Sequence, residues 1–127
     1  MNALVVDTSV WIEALRGEDV PRLESALRQG EVVLPPLALA ELLSGVKNKT
    51  DQKKLEDFLS YVPLHPVGRA HWKKVGLLRA HLLKKGLTVS IPDCHIAQCA
   101  LEMNIPLLTR DKIFSKMVKI VPLKIVD

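Results

Sequence analysis

The sequence predicts an α/β domain in three layers, α/β/α, around a central and mainly parallel sheet of about four or five strands. Three observations predict it. The apolar runs Leu4-Val5-Val6, Val32-Val33-Leu34 and Ile105-Pro106-Leu107-Leu108-Thr109 lack polar alternation, as strands buried on both faces do. The segments between them carry apolar residues at helical spacing. Strand and helix alternate along the chain, which is the order that parallel βαβ units require.

The elements follow from local chemistry. Leu4 to Val6 runs into Asp7-Thr8-Ser9 and then a helix from Val10 to Arg16, with Gly17 at its end. Asp19 is placed to cap a second helix, with Pro21 in its first turn, Leu23, Ala26 and Leu27 on one face, and Gly30 to stop it. After Val32-Val33-Leu34, Pro35-Pro36 breaks the pattern and opens a third helix, Leu37 to Lys47. Thr50 reads as the cap of a fourth, which carries Leu55, Phe58, Leu59 and Val62. Pro63 to Pro66 is a short extended crossing and a candidate third strand.

Pro66 also suits the first turn of a long helix that reaches Lys85. Lys84 and Lys85 complement its negative end, and Gly86 closes it. Ser90 starts the next helix, which lasts to Asn104. Ile105 to Thr109 is a strand and Lys112 to Met117 a helical turn. Lys119 to Val126 is the last strand, at an edge because Pro122 cannot donate to a ladder.

Composition sets the outer limits. The 127 residues, 48% hydrophobic and 25% charged, read as one globular domain over residues 1–127 and exclude a disordered chain. Pro35 to Ala40 is the most apolar run and Glu41 ends it, far short of a bilayer span, and no basic leader precedes a long apolar stretch. A cytoplasmic protein with no membrane partner is expected. Cys94 and Cys99 would lie about 140° apart around one helix, so local pairing is not expected. The net charge of +4 points towards a polyanionic partner.

Four acids stand where the fold does not require them. Asp7 and Asp111 each leave the carboxyl end of a strand, where open α/β sheets collect ligands. Each could instead cap the helix that follows. Glu41 is surrounded at helical spacing by Leu37, Ala38, Ser44 and Gly45, small or apolar neighbours, beside a core stripe of Leu39, Leu42, Leu43 and Val46. Asp93 completes a capping box with Ser90, and sits on a helix seated by Ile96, Ala97, Ala100 and Leu101. Four carboxylates converging on one sheet edge repel one another unless cations intervene. Hard oxygen ligands imply Mg²⁺ or Mn²⁺, and the chemistry that fits is hydrolysis of a phosphodiester.

Val5-Val6-Asp7-Thr8-Ser9, the lone Glu41, Pro92-Asp93 with Ile96-Ala97, and Leu107-Leu108-Thr109-Arg110-Asp111-Lys112 with Phe114 together resemble the PIN-domain ribonucleases. Within them they resemble the VapC toxins of prokaryotic toxin–antitoxin pairs, over essentially the whole chain. The resemblance implies a metal-dependent endoribonuclease, often a homodimer, held inactive by a cognate VapB-like antitoxin. It implies that Asp7, Glu41, Asp93 and Asp111 are the catalytic, metal-binding quartet, and that Ser9 and Thr109 orient a carboxylate or water. Many relatives carry a further acid two positions after the fourth. Ile113 stands there in this chain, so any second ion has one ligand fewer.

If RNA is the substrate, Arg110, Lys112 and Lys116 are the candidate phosphate contacts, with Lys47, Lys49, Lys53 and Lys54 and with Lys73, Lys74 and Arg79 as further basic stretches. The aromatics, Trp11, Phe58, Tyr61, Trp72 and Phe114, are expected mostly in the core, so no base-stacking platform is expected. His71, at helical spacing from Val75 and Leu78, reads as a buried, hydrogen-bonded histidine. His95 beside Cys94 hints at zinc, but no set of four ligands with suitable spacing appears, so zinc is not expected.

Three other readings compete. An aspartate-based phosphatase resembling the haloacid dehalogenases needs a second aspartate where Ser9 stands. A signalling receiver domain needs an aspartate after a mid-chain strand, and Val32-Val33-Leu34-Pro35 offers none. A catalytically silent PIN-like RNA-binding or scaffold protein is the alternative outside enzymes, and the presence of all four acids argues against it.

Overall fold

A computed structural model describes residues 3–127. Four short strands, β1 (Leu4–Val6), β2 (Val32–Val33), β3 (Leu107–Leu108) and β4 (Ile125–Val126), form one parallel sheet in the order β2-β1-β3-β4. Val5 pairs with Val33 on one side and Leu107 on the other, and Val6 with Leu108, so β1 is central.

The helices are α1 (Thr8–Leu15), α2 (Pro21–Arg28), α3 (Pro36–Ser44), α4 (Lys49–Leu59), α5 (Arg69–Lys84), α6 (Ile91–Met103) and α7 (Lys112–Met117). Successive strand residues face opposite sides. Leu4, Val6 and Leu108 pack with Val10, Trp11 and Leu42 beneath α1–α4, while Val5 and Leu107 pack with Leu82, Ile96 and Phe114 beneath α5–α7. The sheet is therefore covered on both faces, which is why its strands carry no polar alternation. Among the described residues no helix is long and apolar enough to cross a membrane.

Several boundaries differ from the sequence expectation, each for a local reason. The first helix begins at Thr8, not Val10. The residue capping α2 is the buried Val20 rather than Asp19, without a side-chain cap bond. Helix α3 ends at Ser44, whose hydroxyl bonds back to the Glu41 carbonyl at 2.7 Å, three residues short of Lys47. Asn48, not Thr50, caps α4: its Oδ1 accepts from the Asp51 N–H at 2.8 Å while its Nδ2 donates to the Asp51 carboxylate at 3.0 Å. Pro66 lies outside α5, whose cap is Gly68.

The expected third strand over Pro63 to Pro66 is reduced to a single parallel bridge between Leu34 and Leu64. Two prolines bracket it, leaving the Leu34 N–H to Pro63 and the His65 N–H to Leu34 as its hydrogen bonds. The last strand shrinks to Ile125–Val126 because the N–H groups of Ile120 and Val121 both turn back to the Met117 carbonyl, at 2.9 Å.

Candidate metal centre at the carboxyl edge of the sheet

The central strand delivers Asp7 to the carboxyl edge, where its N–H donates to the Leu108 carbonyl at 3.0 Å. Asp7 occupies the cap position of α1 yet makes no side-chain cap bond. Its Oδ2 accepts instead from the hydroxyls of Ser9 and Thr109, each at 2.9 Å. The capping explanation thus fails for its carboxylate, which is buried beneath two hydroxyls.

Asp111 does cap: its Oδ1 accepts from the Ile113 N–H at 3.0 Å, and its own N–H donates to Thr109 Oγ1 at 3.1 Å. Thr109 therefore touches both strand-end acids. Asp93 sits in the first turn of α6, where Ser90 Oγ accepts its N–H at 3.2 Å. The return bond of the expected capping box, from the Ser90 N–H to the Asp93 carboxylate, is not formed. Glu41 is exposed on α3, and its Oε1 accepts from Thr8 Oγ1 at 3.0 Å. Its neighbour Ala38 is fully buried in the core.

Thr8 is the residue that sequence reasoning missed. It lies between Asp7 and Ser9, and only the packing of α1 on α3 brings its hydroxyl to a carboxylate 33 positions away.

The acids lie within one another's electrostatic reach. Burial raises the Asp7 carboxyl above its ordinary range, the bonds from Thr109 and Ser9 oppose that, and the charges of Asp93 and Asp111 add to it. Burial likewise raises Asp93, with a Ser90 hydrogen bond opposing and the charges of Asp111 and Glu41 adding. All four expected acids are linked in this way around one edge. They are loosely spaced: among the described residues, the one trio of potential ligand atoms all within 4.8 Å of one another lies elsewhere, at His65, His71 and Cys99. An all-oxygen donor set in which Asp7 and Asp93 are raised fits a hard divalent cation, whose charge would offset the repulsion.

The basic residues divide. Arg110 is held by an ion pair with Glu13, and Arg79 Nε donates to the Val89 carbonyl at 2.8 Å. Lys112 and Lys116 are exposed. The expectation that most aromatics are internal is corrected: Trp11 and Phe114 are buried, but Phe58, Tyr61 and Trp72 reach the surface. A groove of about 670 Å³ runs from Glu41 between α1, α3 and α4, lined by apolar residues including Ile12, Leu15, Val46 and Phe58 and edged by Lys47 and Lys54.

The family profile described as "PIN domain" matches residues 4–120. A protein named Ribonuclease VapC from Rickettsia bellii is 29% identical over 113 residues, covering 84% of this chain and 83% of its own. Among solved structures, a DNA-bound VapBC from Salmonella typhimurium superposes with a TM-score of 0.81 at 21% identity, covering 100% of this chain and 98% of that one. VapBC2 from Rickettsia felis, bound to a promoter DNA fragment, gives a TM-score of 0.78 at 24% identity, with 98% and 97% covered.

Proposed function

The chain belongs to the PIN domain family, and from that premise we propose that it is a metal-dependent endoribonuclease, the toxin of a toxin–antitoxin pair. One observation carries the site assignment: the buried Asp7 carboxylate at the ends of β1 and β3, with hydroxyls on one oxygen and the charges of Asp93 and Asp111 beside it.

In this reading Asp7, Glu41, Asp93 and Asp111 hold Mg²⁺ or Mn²⁺. The bound cation supplies the Lewis acidity that activates water and stabilises the leaving oxygen of an RNA phosphodiester. The chain's own residues prepare the site. Ser9 and Thr109 fix the orientation of Asp7 through Oδ2, and among the described residues no hydrogen bond occupies its Oδ1. Thr8 restrains Glu41, and the Asp111 cap bond restrains the fourth acid. Lys112 and Lys116 contact RNA phosphates, and Arg110 joins them when its pairing with Glu13 opens.

A VapB-like antitoxin is the proposed partner, by analogy with the VapBC complexes of similar fold. The apolar groove between α1, α3 and α4 suits an amphipathic segment, and with Glu41 in its lining an antitoxin seated there would reach the carboxylate set. A homodimer is proposed on the family resemblance alone.

The test is incubation of total RNA with antitoxin-free protein in Mg²⁺, Mn²⁺ or EDTA, alongside folded Asp7→Asn and Asp93→Asn variants. Cuts at discrete positions that vanish in EDTA and in both variants support the reading. Cuts that persist in both variants place the active site elsewhere, and RNA binding without cleavage favours the silent binding module.

A further inference from the structure

Three of the four histidines, His65, His71 and His95, are buried together. They come from three parts of the chain: the crossing after α4, the first turn of α5 and the second turn of α6. Buried imidazoles are costly unless their nitrogens find partners, and here they converge on one acid. Glu102 lies 3.0 Å from His65 Nε2 and 2.8 Å from His71 Nδ1, while Gln98 Nε2 donates to the same carboxylate at 3.2 Å. His71 Nε2 meets His95 Nδ1 at 2.7 Å, and Trp72 stacks on the His95 ring with centroids 4.8 Å apart.

The cluster contains sulfur as well. Cys99, one helical turn before Glu102 on α6, has its Sγ 3.9 Å from His95 Nε2. Potential ligand atoms of His65, His71 and Cys99 all lie within 4.8 Å of one another, the one such group among the described residues. We propose that His65, His71 and Cys99, completed by Glu102, form a second metal site, for a borderline-soft divalent cation such as Zn²⁺, separate from the all-oxygen carboxylate set.

Two imidazoles, a thiolate and a carboxylate are the donors that Zn²⁺ prefers and that Mg²⁺ and Mn²⁺ do not. Tetrahedral bonds of about 2.0–2.3 Å place ligand atoms roughly 3.5 Å apart, so the present trio closes by about 1 Å. The outer contacts change tautomer on loading, since His95 Nε2 accepts the Leu37 N–H at 3.4 Å in the structure. When Zn²⁺ takes His71 through Nδ1, the proton there moves to Nε2 and donates to His95 Nδ1. The His95 proton then lies on Nε2, facing the Cys99 thiolate, and the long 3.4 Å bond that Nε2 accepts from the Leu37 N–H is given up. Gln98 orients the carboxylate. The cation displaces the thiol proton to solvent, which it must do because burial pushes the Cys99 thiol up to about 12. Access is through Glu102, whose side chain is 18% exposed.

Local spacing around Cys94 and His95 could not reveal this group, because its ligands come from three elements and Cys94 is not among them.

Cobalt substitution of the full-length, chelator-stripped protein tests the proposal without any need for catalysis. Co²⁺ in this site gives thiolate-to-cobalt charge transfer and intense tetrahedral visible bands, and one equivalent of Zn²⁺ abolishes both. Cys99→Ala removes the charge-transfer band, and His65→Gln weakens Zn²⁺ binding by at least about 10-fold. Asp93→Asn, which disables the carboxylate set, leaves the cobalt spectrum unchanged. Cobalt uptake by the folded wild type without charge transfer overturns the proposal. A band that survives Cys99→Ala also overturns it, since the sulfur is then Cys94. Failure of RNA cleavage has no bearing on either spectrum.

Discussion

Thr109 donates its hydroxyl proton to Asp7 Oδ2 at 2.9 Å, across 102 residues of sequence. The bond joins the carboxyl ends of the two central strands, and the same hydroxyl oxygen accepts the Asp111 N–H at 3.1 Å. One side chain thus sets the position of two acids. It can do so because Val6 and Leu108 are paired in register, so the residues that follow them emerge side by side.

Thr109→Val keeps the shape and removes the hydroxyl. The Asp7 carboxyl then loses a bond that lowers it and rises further, so the acid limb of the cleavage–pH profile moves to higher pH. The Asp111 N–H also loses its acceptor. We expect a loss of about 1–2 kcal/mol in stability, measured by urea unfolding, and an activity deficit that narrows as pH is raised. An unmoved pH profile would mean that Thr109 serves packing alone.

Asp7 carries a stability cost that Asp7→Asn removes. A carboxyl raised above 3.8 in the folded state favours folding when protonated, and that advantage is lost as pH rises through the folded value. In chelator near neutral pH, Asp7→Asn is therefore more stable than wild type, read as a higher Tm. The gain disappears below about pH 3.8, where both forms are protonated. A variant less stable than wild type at pH 7 contradicts the assignment of Asp7 as a strained acid.

Much of the layout was legible in the sequence because buried parallel strands leave uninterrupted apolar runs, and Val5, Val6, Leu107 and Leu108 are such runs. The four acids were legible as carboxylates gathered at strand ends and early helical turns; Asp7 declines its capping role, whereas Asp111 keeps its own. Caps were less so. Val20 and Gly68 open helices without side-chain bonds, so side-chain capping chemistry does not point to them. The Thr8–Glu41 bond, the Arg110–Glu13 pair and the histidine cluster depend on helices packing across the chain, which local periodicity does not encode.

The ion pair of Arg110 separates the proposed RNA contacts. Lys112→Ala and Lys116→Ala each remove a free surface cation, so each lowers the slope of log affinity against log salt by about 1. Arg110→Ala changes that slope less, because Glu13 already neutralises it. Glu13→Gln releases Arg110 and steepens the slope, with stability altered by less than about 1 kcal/mol since the pair is largely exposed. Filter binding of RNA by Asp93→Asn-inactivated protein over a salt series reads all four. Equal slopes for the three cation variants would show that the Arg110 pairing does not persist in solution.

Buried His95 is expected to make the fold sensitive to acid. Burial, with the charges of His71 and His65, lowers His95 from 6.5 to about 4, so it is neutral in the folded protein. Its contribution is fully present above pH 6.5 and is lost as pH falls towards 4, because the unfolded chain takes up a proton that the folded chain refuses. The loss is at most about 1.4 kcal/mol per pH unit and about 3 kcal/mol in all. Glu102 acts in a lower window: burial would raise it, but bonds from His65, His71 and Gln98 hold it below 4.5, so its share is lost only as pH falls beneath that value. Urea unfolding in chelator between pH 7 and pH 4.5 should therefore show a steep stability loss that His95→Gln flattens. The slope carries the test, since the substitution also changes absolute stability. An unchanged slope would assign the acid sensitivity to a group other than His95.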